Sequence, residues 1–131
     1  LTPHPGEFAR LAKTKRPPLA ERRIDAAAEL AKRLRAIVLL KGAGTVVTDG
    51  ERSHVVTTGN PGMATGGTGD VLTGIIAGLA AQNINLQKAA IAGAYIHGHS
   101  GDLFSEKETQ TSLIAGDLLR CLPDALKQIL P

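Results

Sequence analysis

The segment Ala64-Thr65-Gly66-Gly67-Thr68-Gly69-Asp70 runs straight into Val71-Leu72-Thr73-Gly74-Ile75-Ile76-Ala77-Gly78, and this junction constrains the chain more than any other stretch. Glycines immediately before an apolar helix free the backbone to bring several N–H groups to a common centre. The first helical turn leaves its amides unpaired and adds partial positive charge, so the junction favours an anion. Thr68 can add a hydroxyl. Asp70 is the odd member, because a carboxylate beside a phosphate is electrostatically unwelcome. It makes sense as a base that takes a proton from a hydroxyl about to attack phosphorus. A capped helix start, with Asp70 as a favourable N-terminal carboxylate, accounts for Asp70 but not for the glycines.

Two better-known glycine motifs are excluded. A P-loop requires Gly-Lys-Ser/Thr, and here Gly69 is followed by Asp70. The dinucleotide fingerprint requires a third glycine where Leu72 stands, and a strand ending directly at the turn.

Around the junction the pattern is α/β. Leu19 to Leu34 has apolar residues at helical spacing, and Ala36-Ile37-Val38-Leu39-Leu40 is the short continuous apolar run of a strand buried on both faces. Lys41-Gly42-Ala43-Gly44 breaks this run before Thr45-Val46-Val47-Thr48. Asp49-Gly50 then signals a hairpin leading to His54-Val55-Val56-Thr57-Thr58. Helices are expected from Val71 to about Ala81, from Gln87 to about Phe104, and from Ser112 to Leu130, the last bent or divided at Pro123. Residues 1–131 read as one folding unit, or part of one.

Composition narrows the function. Residues 1–35 hold nine Lys and Arg against four Asp and Glu, around Arg10, Lys13, Lys15, Arg16, Arg22 and Arg23. This is a solvated helix face or an attractor of anions. Only Phe8, Tyr95 and Phe104 are aromatic, so stacking aromatics are not interleaved with the charges and a nucleic-acid partner is not expected. The lone Cys121 suits a reducing compartment, and a cytoplasmic protein is expected. No apolar run approaches the roughly 20 residues of a membrane span, nor is a signal-peptide pattern present.

Other constellations remain open. Lys41-Gly42-Ala43-Gly44-Thr45 could pack against a nucleotide or be a tight connection. His4-Pro5-Gly6-Glu7 offers an imidazole and a carboxylate on a stiff turn, or Glu7 merely starts a helix. His97-Gly98-His99 invites a metal reading, but side chains two apart on a helix point about 200° away from each other. Separate packing or hydrogen-bonding roles are expected for the two rings.

Taken together, Asn60-Pro61-Gly62-Met63-Ala64-Thr65-Gly66-Gly67-Thr68-Gly69-Asp70 resembles the signature of the ADP/ATP-dependent NAD(P)H-hydrate dehydratases of the ribokinase-like superfamily. Leu1-Thr2-Pro3-His4-Pro5-Gly6-Glu7 and Lys41-Gly42-Ala43-Gly44-Thr45 are similar to two further motifs of that family, as are Tyr95 to Asp102 and Asp117 to Pro123. The resemblance implies a ribokinase-like three-layer α/β sandwich, with a mostly parallel sheet, an antiparallel hairpin and helices on both faces. Family domains are about twice this length, so the chain is expected to be the C-terminal part of a nucleotide-binding catalytic domain.

The implied reaction is dehydration of hydrated NADH or NADPH coupled to hydrolysis of ADP or ATP. By resemblance, Asp70 is the catalytic base and contacts the hydrated dinucleotide together with His4. Lys41, Gly42, Ala43, Gly44, Thr45 and Gly69 contact the adenine nucleotide, and Gly66, Gly67, Thr68 and Gly69 form the anion hole. Glu7 joins a water-mediated Mg²⁺ network. Many ribokinase-like kinases carry Asn where His4 stands, so His4 favours the dehydratase over a kinase of a small hydroxylated vitamin precursor. A silent nucleotide-binding fragment is the third reading. A homo-oligomer is expected, fused to or working with an NAD(P)HX epimerase.

Overall fold

The computed structural model describes residues 1–129. Helix α1 (Pro5–Ala12) is followed by a 3-10 turn (Ala20–Arg22), helix α2 (Arg23–Leu34) and strands β1 (Val38–Leu40), β2 (Thr45–Thr48) and β3 (Ser53–Val56). A second 3-10 turn (Pro61–Met63) precedes α3 (Thr68–Ala80) and α4 (Leu86–Ser105), and a third (Gln110–Ser112) precedes α5 (Ala115–Ile129).

The three strands pair antiparallel in chain order, with Leu39 opposite Val47 and Val46 opposite Val55. Connections as short as Lys41–Gly44 and Asp49–Arg52 can join only antiparallel neighbours. The parallel component of the expected sheet appears at the other edge of β1. There the Leu1 ammonium donates to the Ile37 carbonyl, and the amides of Leu39 and Lys41 donate to the carbonyls of Leu1 and Pro3. Steps of two residues along both segments are a parallel ladder.

Alternation along β1 builds two cores. Val38 and Leu40 join Phe8, Ala27, Leu30, Ala31 and Val46 on the face covered by α2. Leu39 joins Val47, Val56, Leu72, Ala90 and Ala94 on the face covered by α3 and α4. Burial on both faces is why the sequence reads as an uninterrupted apolar run there, and helices flank the sheet on both sides as expected.

Element ends differ from the sequence reading in instructive ways. The β2–β3 loop spans the four residues Asp49–Arg52, because the Asp49 side chain accepts from the Glu51 and Arg52 amides and holds a wide turn. Strand β3 stops at Val56, and the Thr58 hydroxyl donates to the Tyr95 carbonyl of α4 instead. Helix α5 starts at Ala115 and runs through Pro123 without division. Pro123 is exposed, on the side where water can replace the amide partner it removes.

Candidate active site

The glycine junction forms the N-terminus of α3. Gly67 caps the helix at φ +87°, a conformation glycine adopts without strain. The amides of Asp70 and Val71 both donate to the Gly67 carbonyl. The N–H groups of Thr68 and Gly69 are therefore first-turn amides that the helix itself leaves unpaired. Thr68 is buried, and its hydroxyl lies 2.9 Å from both the Met63 and the Thr65 carbonyl. The expectation that this hydroxyl reaches a ligand is corrected: it ties down the preceding loop, and Thr68 has only its main-chain N–H to offer. Asp70, at the third helical position, is exposed.

The β1–β2 turn faces this helix start. Gly42 and Gly44 have φ of +145° and +64°. Beneath them the Arg23 guanidinium of α2 donates to the carbonyls of Leu40, Lys41 and Gly44 at 3.2–3.5 Å. A methyl group at Gly42 would fall 2.8 Å from Arg23 Nη1, so this approach needs glycine. The Thr45 hydroxyl donates to the Gly42 carbonyl at 3.0 Å and closes the turn. Lys41 Nζ lies 3.9 Å from Glu7 Oε2, and a methyl at Gly69 would lie 3.1 Å from the same ammonium. Lys41 thus spans from α1 to the mouth of α3.

His4 and Glu7 cap α1 reciprocally. His4 Nδ1 accepts from the Gly6 and Glu7 amides at 3.0 and 3.4 Å, while Glu7 Oε2 accepts from the His4 amide at 2.7 Å. Pro5 at the first helical position adds its fixed φ. The His4 main-chain hydrogen bond, aided by the charges of Lys41 and Arg10, holds Glu7 below the usual carboxylate range despite some desolvation.

Two cavities meet at these residues. The larger, of about 880 Å³, is lined by His4, Lys41 to Thr45, Gly67, Thr68, Gly69 and Asp70, together with the loop from Thr57 to Thr65 and His97. The smaller, of about 490 Å³, is lined by Glu7, Arg10, Thr73 and the Leu1–Pro3 segment. Lys41, Gly69 and Asp70 line both and form the wall between them. Of the expected site residues, only Gly66 borders neither cavity, and Glu7 borders the smaller alone.

No three His, Cys, Asp or Glu side chains gather into a metal cage among the described residues. Asp70 and Glu7 do share the smaller cavity. One or two carboxylates beside a phosphate site is the donor set that suits Mg²⁺, which keeps its waters.

The stretch Tyr95 to Asp102 stood out in the sequence as a motif, but the part its residues play in holding this architecture from α4 did not. Asp102 accepts from the Gly59 amide at 2.8 Å and the Asn60 side-chain amide at 3.0 Å. A methyl at Gly98 would lie 2.6 Å from the Thr58 main-chain carbon, and one at Gly101 would lie 2.8 Å from Met63 Cγ. The helical glycines were the available signal, but nothing in the sequence named their partners. The two histidines do part company. His97 Nε2 meets the Thr68 carbonyl and His99 Nε2 meets Gln128 Oε1, each at 2.9 Å.

A family model described as NAD(P)H-hydrate dehydratase matches residues 1–124. The chain belongs to the NAD(P)H-hydrate dehydratase family. A bifunctional NAD(P)H-hydrate repair enzyme of Moorella thermoacetica is 50% identical over 131 residues, covering 98% of this chain and 24% of that protein. A Bacillus subtilis ADP/ATP-dependent NAD(P)H-hydrate dehydratase, crystallised with ATP and Mg²⁺, superposes with a TM-score of 0.91 at 35% identity. That match covers 98% of this chain and 47% of the other. A ribokinase-like superfamily protein of Enterococcus faecalis superposes with a TM-score of 0.80 at 33% identity, covering 97% of this chain and 43% of the other. The fold of this dehydratase-family chain is therefore ribokinase-like, and the chain spans about half the length of those solved structures. No described helix is long and apolar enough to cross a membrane.

Proposed function

We propose that this chain carries the phosphoryl-handling half of an ADP- or ATP-dependent NAD(P)H-hydrate dehydratase, a carbon–oxygen lyase that restores NADH or NADPH from their C6-hydrated forms. What supports the reading is the wall of Lys41, Gly69 and Asp70 between two cavities. A donor nucleotide held by Lys41 to Thr45 and an acceptor alcohol beside His4 would meet in the larger cavity at Gly69 and Asp70. Family membership supplies the identity of both.

In this reading Asp70 takes the proton of the C6 hydroxyl as its oxygen attacks the terminal phosphorus. The P–O bond to the nucleotide breaks, leaving AMP from ADP or ADP from ATP. The amides of Gly67, Thr68 and Gly69 stabilise the phosphoryl group in transit. Phosphate is a far better leaving group than hydroxide, so the ring-nitrogen lone pair expels it. Loss of a C5 proton then completes the dihydronicotinamide. Lys41 to Thr45 hold the nucleotide, and His4 contacts the hydrated dinucleotide. Glu7 would hold Mg²⁺ through water, and the ion when bound neutralises phosphate charge.

Residues 1–131 act here as one unit, the C-terminal part of a nucleotide-binding catalytic domain in a cytoplasmic homo-oligomer. The bifunctional name of the Moorella relative favours fusion to, or work beside, an epimerase of the same hydrates. The deciding assay supplies hydrated NADH with ADP or ATP. Equal amounts of NADH and inorganic phosphate are expected. A stable phosphorylated product from a small hydroxylated vitamin precursor supplied in place of the hydrate, with no NADH from the hydrate, would instead establish the kinase reading. A thermal shift with ADP or ATP but turnover of neither substrate would establish the silent nucleotide-binding fragment.

A further inference from the structure

His97 of α4 stands beneath the first turn of α3 and belongs to no role assigned so far. Its ring is largely buried, and its Nε2 lies 2.9 Å from the Thr68 carbonyl. A carbonyl only accepts, so Nε2 carries the proton and one neutral tautomer is selected. Burial pushes the imidazole below its ordinary value, and the nearby Lys41 charge adds to this, against the opposing pull of the Thr68 bond. The ring is therefore an uncharged donor at neutral pH.

The Thr68–Gly69 peptide is planar and trans, so its carbonyl and its N–H point in opposite directions. A donor that grips the Thr68 carbonyl from α4 thereby fixes where the Gly69 N–H points, which is away from α4. Gly69 lies in the wall between the two cavities, and the helix leaves its N–H unpaired. Glycine has no side chain through which packing could lock that peptide, so the Thr68 carbonyl is the handle. The helix's own bond from the Leu72 amide uses one lone pair, and His97 grips the other from outside the helix. The grip is short because α4 approaches closely. One residue after His97, a methyl on Gly98 would lie 2.6 Å from the Thr58 main-chain carbon.

We propose that His97 is a positioning residue that aims the Gly69 N–H at the phosphoryl group in transit. The inference rests on the dehydratase reading for its activity assay, but its geometry does not. The test compares His97→Gln with His97→Asn in the full chain. A glutamine amide reaches about as far from the backbone as Nε2, and an asparagine amide stops short. Removing an anion-hole donor outright costs about 10²–10³ in kcat, so a misaimed one should cost roughly tenfold or more.

His97→Asn is expected to lose kcat with KM for the hydrate and affinity for AMP, which lacks the transferable phosphoryl, unchanged. His97→Gln should stay close to wild type. Equal kcat in the two variants, whether high or low, overturns the proposal. A wild type that turns over no hydrate with any nucleotide defeats the dehydratase reading instead. In that event the ¹⁵N amide shift of Gly69 on adding ADP decides: it should move in wild type and His97→Gln but not in His97→Asn, and the same response in both variants overturns the proposal.

Discussion

Helices α3 and α4 are both rich in glycine and use it in opposite ways. Along α4 a methyl at Gly93, Gly98 or Gly101 would collide with Ile76, Thr58 or Met63, so each glycine is a point where another element lies directly on the helix. Along α3 a methyl at Gly74 or Gly78 would meet nothing within 4 Å. One helix is the bed on which the loop from Thr58 to Met63 and the first turn of α3 rest. The other is fixed at its start and presents an open small-residue flank. Rigidity at the site therefore comes from α4, although the residues expected to do the chemistry sit on α3.

The sharpest way to break this contrast is Gly98→Ala. Its Cβ would press on main-chain atoms of Thr58, which cannot rotate away, and overpacking of this kind costs about 3 kcal/mol. A denaturant midpoint unchanged from wild type would remove the bed from the account. Asp102→Ala should cost less, about 1 kcal/mol, by removing the carboxylate that accepts from the exposed Gly59 amide and the half-buried Asn60 side-chain amide. Gly74→Ala and Gly78→Ala should each stabilise by about 0.5–1 kcal/mol, because alanine favours the helix and the space is empty. A loss of stability at either position would mean that the flank is covered in solution. A pH effect should follow from His97. Its folded pKa lies below the ordinary 6.5, so the stability it contributes is complete above that value and falls away as the medium is acidified, when the unfolded ring binds a proton that the buried ring resists. In His97→Gln the slope just below this value should flatten.

Local signals carried far in the sequence. The apolar run through Leu39 predicted a doubly buried strand, Asp49-Gly50 predicted a hairpin, and His4-Pro5-Gly6-Glu7 was recognisable as a helix start. These depend on residues a few positions apart. Arg23 looked like one more cation in a basic stretch, yet it props the Lys41–Thr45 turn from a distance of 17–21 residues in sequence. Asp102 reaches back 43 residues to Gly59, and His97 reaches back 29 to Thr68. No periodicity encodes such partners. The Thr68 hydroxyl misled for a related reason: its orientation is set by the Met63 and Thr65 carbonyls, which a linear motif does not display.

The central claim is that unpaired amides at the start of α3 hold a terminal phosphoryl while the adjacent carboxylate accepts the proton of the attacking alcohol. Replacing Asp70 with Asn keeps the shape and removes the base, so the direct measurement is ADP affinity and NADH release from hydrated NADH, side by side in wild type and variant. The account predicts unchanged ADP affinity and a turnover reduced by at least about 10²-fold. Turnover equal to wild type in the variant would contradict it.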